Sequence, residues 1–120
     1  MDTMGAAEKI FIKKVDKTAG KLDLNADQMG KLEQLKVDIR KNFQEGQVDQ
    51  KEAMAKIKKE GLKENPDIQQ MTSLLQESLM AETQRINRAF DLLMEYQKNL
   101  NDNQKRKLGQ MISERIRKWH

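Results

Sequence analysis

The chain has 120 residues, of which 37% are hydrophobic and 35% are charged, and its formal net charge is +4 at pH 7. A globular domain is usually about 45–50% apolar and about 25% charged, so this composition excludes a thick core and favours thin helices that each bury one apolar stripe. The absence of cysteine excludes disulfides and thiolate metal sites, and no run approaches the roughly 20 apolar residues of a membrane-spanning helix.

Residues 1–21 are predicted to form a flexible or partly helical N-terminal arm. Ile10, Phe11 and Val15 share one face of a short helical pattern, and Gly20 interrupts the approach to the next segment. We expect the arm to dock through Phe11. Residues 22–120 are predicted to form a single helical domain.

The first strong helix start is the pentapeptide Leu-Asn-Ala-Asp-Gln at 24–28. Asn25 is a favourable N-cap because its side-chain oxygen accepts a hydrogen bond from a free amide of the first turn. Gln28 then lies at N3 and can bond back to the cap, which makes a capping box, while Leu24 and Met29 can form a hydrophobic staple. The helix is predicted from Ala26 to about Glu45, with an apolar stripe of Met29, Leu32, Leu35, Ile39 and Phe43.

Gly46 is predicted to end this helix and to be followed by a short second one. Asp49 would be its N-cap and Glu52 its N3 residue, with Val48 packed on Ala53. This second helix is expected to end near residue 61.

A long third helix is predicted from Pro66 to about Lys98, because Asn65-Pro66 is a start signal and no Gly or Pro follows until Gly109. At ~1.5 Å per residue it would be a rod of roughly 50 Å. Its near-heptad stripe consists of Ile68, Leu75, Leu79, Ile86, Ala89, Leu93, Tyr96 and Leu100. The stripe fits a bundle core or an antiparallel coiled coil, and we expect a homodimer because so long a rod has few partners within its own chain.

The pattern of residues 24–28 recurs as Leu-Asn-Asp-Asn-Gln at 100–104. A last helix is predicted from Asp102 to about Lys118. Its apolar face comprises Leu108, Met111, Ile112, Ile116 and Trp119, and its basic residues are Lys105, Arg106, Lys107, Arg115, Arg117 and Lys118. The motif residues are interpreted as structural helix caps; they are Leu24, Asn25, Gln28, Leu100, Asn101 and Gln104.

The two motifs resemble the Leu-Thr-x-x-Gln signature of the Spy/CpxP family of periplasmic stress chaperones, with Asn in place of Thr. The segment 80–84, Met-Ala-Glu-Thr-Gln, is similar to the long helix of Spy-like proteins, and the resemblance covers roughly residues 22–119. It implies an all-α, four-helix, elongated and thin cradle-like chain that pairs as an antiparallel coiled-coil dimer. It also implies a periplasmic location, in which case this numbering describes the mature chain without its signal peptide.

We expect an ATP-independent chaperone that binds unfolded or partly folded client proteins on an amphipathic, partly basic surface and suppresses their aggregation. Exposed methionines and long lysine stems suit such adaptable binding. The client-binding residues are predicted on the second helix as Lys51, Met54, Ile57, Lys58, Lys59 and Leu62. No cofactor is expected, since no nucleotide-binding Gly-rich loop is present.

An enzyme is not expected, because without Cys and with a lone His at position 120 there is no familiar nucleophile–base pair. The alternative is a periplasmic metal-responsive or sensor-kinase-inhibiting regulator of an envelope stress response, which would bind a sensor domain. Relatives that bind metals use His- or Cys-rich ligand sets, and the eight methionines here are scattered, so no metal site is predicted. A nucleic-acid binder is the third hypothesis; it is not favoured because no aromatic residues interleave with the basic last helix. Membrane insertion is not expected.

Overall fold

The computed structural model describes residues 2–119, except for the side chain of Trp119, and this part of the chain consists of helices joined by turns and short irregular links, without strands. The predicted side-chain roles of Trp119 and His120 lie outside the described residues. Four α-helices follow one another: α1 (Thr3–Ala19), α2 (Ala26–Gly61), α3 (Ile68–Tyr96) and α4 (Asp102–Trp119), with a 3₁₀ turn (Gln97–Asn99) before α4. The extents of 62 × 34 × 18 Å confirm the predicted elongated, thin all-α fold.

The N-terminal segment, predicted as a flexible or partly helical arm, is helical from Thr3 to Ala19 and packs against the core. Asp2 caps α1 by accepting a hydrogen bond of 2.9 Å from the Gly5 N–H. The expected docking residue, Phe11, contacts two other helices, since its ring centroid lies 5.3 Å from the centroids of both Phe43 on α2 and Phe90 on α3. Aromatic pairs in this geometry add stabilisation beyond their buried area, so α1 closes the core.

Helix α2 runs without interruption for 36 residues, so the prediction of two helices separated at Gly46 is wrong. Gly46 is a buried interior residue at which three helices meet. A Cβ there would lie 3.0 Å from Met4 Sδ of α1 and 3.1 Å from Arg85 Cγ of α3. The cost of glycine in a helix interior, roughly 0.5–1 kcal/mol, is offset by this close approach.

Asp49, predicted to cap the second helix, instead pairs with α3. Its carboxylate lies 3.2 Å from the Arg85 guanidinium, and Glu45 lies 3.1 Å from the same group. The spacing of Asp49 and Glu52 therefore imitated a capping box, whereas Asp49 forms a contact between helices together with Glu45.

Helix α3 begins two residues later than predicted. Asp67, not Asn65, is its N-cap, and the Asp67 carboxylate accepts a hydrogen bond of 3.0 Å from the Gln70 N–H. Aspartate caps as well as asparagine does, and its charge also interacts favourably with the positive end of the helix dipole.

The core lies at one end of the molecule, between α1, the first half of α2 and the second half of α3. Its fully buried side chains include Phe43, Met4 and Ile39. The apolar residues of this cluster are Met4, Val15, Leu32, Leu35, Ile39, Phe43 and Ala89. Beyond it, the second half of α2, the first half of α3 and most of α4 are largely exposed.

We expect Gly46→Val to destabilise the fold by about 1–3 kcal/mol, because the added methyl groups overpack the contact with Met4 and Arg85. The control is Gly30→Val on the same helix, where a new Cβ meets nothing within 4 Å; valine also has the better helix propensity, so stability should not fall. Both are measured by urea unfolding. Equal losses in the two variants would contradict the close-packing role of Gly46.

Candidate functional site

Both Leu-Asn-x-x-Gln motifs form capping boxes. In the first, Asn25 Oδ1 accepts from the Gln28 N–H at 2.8 Å and the Asn25 N–H donates to Gln28 Oε1 at 2.9 Å. In the second, the corresponding distances between Asn101 and Gln104 are 2.8 and 2.9 Å. Each motif therefore satisfies backbone donors that a helix start leaves free.

The two motifs also bind each other. Gln28 Nε2 donates to Gln104 Oε1 at 2.8 Å, and Gln104 Nε2 donates to Gln28 Oε1 at 3.0 Å. We call this reciprocal pair of Gln28 and Gln104 the glutamine clasp. The two side chains are 76 positions apart in the sequence and are only 5% and 7% exposed, so the clasp joins the start of α2 to the start of α4.

Every hydrogen-bonding group of the clasp has a partner. The second N–H of Gln28 donates to the Asn99 carbonyl at 2.9 Å. That of Gln104 donates to the Leu22 carbonyl at 3.2 Å and lies 3.4 Å from the Asp23 carbonyl. Each amide oxygen accepts from its own N-cap and from the other glutamine. A side-chain amide offers two donor hydrogens and two acceptor positions, so these two buried groups are fully satisfied.

The residues around the clasp fix the positions of the two segments that lead into α2 and α4. Leu22 and Leu100 are buried on the two approaches, and Asp23 has a positive φ of 52°, a region that aspartate tolerates better than most residues. The Tyr96 hydroxyl donates to the Gln28 carbonyl at 2.9 Å, and burial raises the pKa of Tyr96. The clasp offers amide hydrogen bonds but no nucleophile and no charge, so its chemistry is structural.

The predicted client-binding residues lie together on the last turns of α2 and at its end. Lys51, Lys58, Lys59 and Leu62 are exposed, and Leu62, the C-cap, is 80% exposed. Met54 and Ile57 are half-buried. The structure therefore places the six on one exposed half-helix.

A cleft between α2 and α3 lies beside them, with a volume of about 290 Å³. Gly46 and Arg85 stand at one end, and Ala53, Leu74 and Ala81 add small or apolar lining. None of the six predicted client-binding residues lines this cleft, so they form an outer surface.

The predicted apolar stripe of α3 is partly buried in the chain's own core and partly exposed to solvent. Ala89 and Leu100 are buried within the chain's own core and Tyr96 is half-buried there, whereas Ile68 and Leu79 are about two-thirds exposed. Phe90, which the stripe prediction omitted, is 54% exposed. The apolar residues that follow one helical face and retain solvent exposure are Ile68, Leu75, Leu79, Ile86, Phe90 and Leu93. We call this set the α3 stripe.

Comparison with known proteins identifies no relative: no family model, no curated protein and no solved structure matches the chain. Within residues 2–119, no group of three or more His, Cys, Asp or Glu side chains is placed to hold a metal ion. In the same range, no helix combines the length and apolar character needed to cross a membrane.

We expect Gln104→Ala and Gln28→Ala each to cost about 1–3 kcal/mol, because each leaves the partner amide buried without its hydrogen bonds. The double variant should lose less than the sum of the two, with a coupling energy of roughly 0.5–3 kcal/mol. Denaturant unfolding measures all three, and the exposed Gln110→Ala on α4 is the control, expected to change stability by less than about 0.5 kcal/mol. Strictly additive losses would mean that the two amides do not act as a pair.

Proposed function

We propose that the chain is a Spy/CpxP-like, ATP-independent periplasmic chaperone that binds unfolded or partly folded proteins and suppresses their aggregation. The observation that supports this best is the large exposed apolar surface of a well-formed helical structure. Its exposed large apolar residues are Ile10, Met29, Val37, Val48, Leu62, Ile68, Leu75, Leu79, Met80, Phe90, Met94, Ile112 and Ile116. Contiguous exposed apolar patches on soluble proteins usually mark interaction sites.

Charge accompanies this apolar surface. On α2, the exposed amines of Lys58 and Lys59 stand within one turn of the exposed Leu62 and the half-buried Ile57. Cationic side chains attract an acidic or mixed-charge client at long range, and their aliphatic stems extend the apolar contact. Contacts of this kind are weak and adaptable, which suits many clients rather than one.

The twin motifs provide the link to the family. They resemble its Leu-Thr-x-x-Gln signature, and their asparagines perform the capping that threonine also performs. In this proposal the motifs maintain the elongated shape, and the client contacts lie on the exposed helix faces.

The α3 stripe supports a homodimer. Its members are separated by steps of seven, four, seven, four and three residues, the spacing of a coiled-coil seam, over a helix of 29 residues. Its first half lies beyond the chain's own core, where Ile68, Leu75 and Leu79 are exposed. An antiparallel second copy would place the second half of its own α3, with Phe90, against that exposed half.

The chaperone activity is tested by light scattering from a denatured client, without nucleotide. We expect suppression at a near-stoichiometric ratio, and we expect Lys51→Gln/Lys58→Gln/Lys59→Gln to require a several-fold higher ratio. The matched control is Lys9→Gln/Lys41→Gln/Lys105→Gln, which removes three exposed amines from other faces and should behave like the original chain.

No suppression by the original chain at several-fold excess would refute the chaperone proposal. Tight, stoichiometric heat on titration with zinc, nickel or copper would instead favour the metal-responsive alternative. Equal losses of activity in the two triple-lysine variants would indicate that clients do not bind specifically to the second half of α2.

The dimer is tested by Leu79→Asp, which places a charge on the exposed part of the α3 stripe. We expect sedimentation to show a dimer for the original chain and a monomer for the variant, because an unpaired carboxylate in an apolar interface is costly to desolvate. Val37→Asp, at an exposed position of α2, introduces the same change elsewhere and should leave the dimer intact. A monomeric original chain at high concentration would contradict the proposal.

A further inference from the structure

A groove of about 580 Å³ lies between α1 and α4, on a different part of the molecule from the proposed client surface. Its apolar lining consists of Ile10 on α1 and of Leu108, Met111 and Ile112 on α4. Ile10 and Ile112 are each more than half exposed, so apolar surface is accessible inside a concave site.

The walls of the groove are strongly basic. Among the residues that the structure describes, six cationic side chains line it, against one acid, Glu114. They are Lys13, Lys14, Lys17, Lys21, Arg115 and Lys118. Within residues 2–119, no carboxylate lies within ion-pairing distance of the three α1 lysines, of Lys21 in the turn after α1 or of Arg115, and Glu114 pairs with Arg117 at 4.0 Å.

The cations of the two helices influence one another across the groove. The pKa of the Lys14 amine is lowered, first by desolvation and then by repulsion from Arg115, Lys17 and Lys13. Arg115 belongs to α4 and the lysines to α1, so positive charge from both walls converges on the same space. An anionic occupant would relieve this repulsion.

The shape of the site discriminates between anionic partners. A flat anionic bilayer would meet the cationic side chains of both helices, but it would not fill a groove that lies between them. Nucleic acid would pair with these cations, yet among the side chains that the structure describes the lining contains no aromatic group on which a base could stack. An amphipathic helix with an acidic face matches both the apolar and the cationic lining of the groove. Its apolar residues would contact the apolar side chains, and its carboxylates would pair with the cationic ones.

We propose that the α1–α4 groove binds an acidic amphipathic helical segment of another protein. Helix α4 is suited to accommodate it, because α4 is held at its first turn by the glutamine clasp while Ile112 to Lys118 are all exposed. The partner differs from an unfolded client in having a defined helical pattern, and the residues involved are not those of the α2 surface. The inference is therefore independent of the proposed chaperone activity.

The probe is a fluorescently labelled synthetic peptide with a Glu-rich face and Leu at helical spacing, and the readout is anisotropy on titration with the full chain. We expect binding that weakens as salt is raised. A peptide with Lys replacing Glu, and one with Ser replacing Leu, should both fail to bind, because the first reverses the charge and the second removes the apolar anchors.

Variants of the chain distinguish binding in this groove from a non-specific attraction to positive charge elsewhere on the protein. Lys14→Gln/Arg115→Gln should weaken binding at least about tenfold, as expected when charges facing a bound partner are removed. Lys41→Gln/Arg88→Gln removes one Lys and one Arg at exposed positions elsewhere and should leave the affinity unchanged. Ile112→Ser should also weaken binding, whereas Val37→Ser should not.

Absence of binding to the acidic amphipathic peptide, or equal weakening by the two charge-removal variants, would overturn the proposal. Equal affinity for the Ser-substituted peptide would also overturn it, by leaving only a non-specific charge attraction. Binding to anionic phospholipid vesicles through Lys14 and Arg115, without peptide binding, would assign the groove to membranes instead. If the chain suppresses aggregation but does not bind the peptide, the groove proposal is refuted and the chaperone proposal stands.

Discussion

The reciprocal hydrogen bonds between Gln28 and Gln104 are the contact on which the arrangement of the helix starts depends. Each glutamine closes its own capping box and also binds the other, so one pair of amides satisfies two helix starts and the contact between them. In a buried site of low dielectric such a network is stabilising only when every group is paired. The backbone carbonyls of Leu22 and Asn99 complete the pairing. The clasp thereby fixes the start of α4 beside the start of α2.

The long helices extend well beyond the small core. At Gly46 side chains of α1 and α3 approach the α2 backbone closely, and further along the molecule α2 and α3 leave much of their apolar surface in water. A chain with a low apolar content and long helices cannot cover both faces of each helix. The same shortage that thins the core therefore leaves exposed the α3 stripe, on which the dimer proposal rests, and the α1–α4 groove, on which the peptide-binding proposal rests.

The sequence predicted the all-α class, the position of the long third helix and the two capping boxes. Its errors arose where a local signal was outweighed by contacts between helices. Gly46 resembled a helix end, but α1 and α3 pack against it, and Asp49 resembled a cap, but it pairs with Arg85. The heptad spacing of α3 identified an apolar face, yet periodicity alone does not state whether a face meets the same chain or another, and Phe90 was omitted from it.

Capping and periodicity were readable from the sequence because they act between residues three or four positions apart, as in Asn25 with Gln28 and Asn101 with Gln104. By itself the sequence thus determined where two helices begin and which faces of the helices are apolar. Only the tertiary structure decided that Gln28 binds Gln104 and that Lys14 and Arg115 line one groove between α1 and α4. These contacts join residues far apart in the chain, and their partners are selected by the packing of whole helices, which no short pattern encodes.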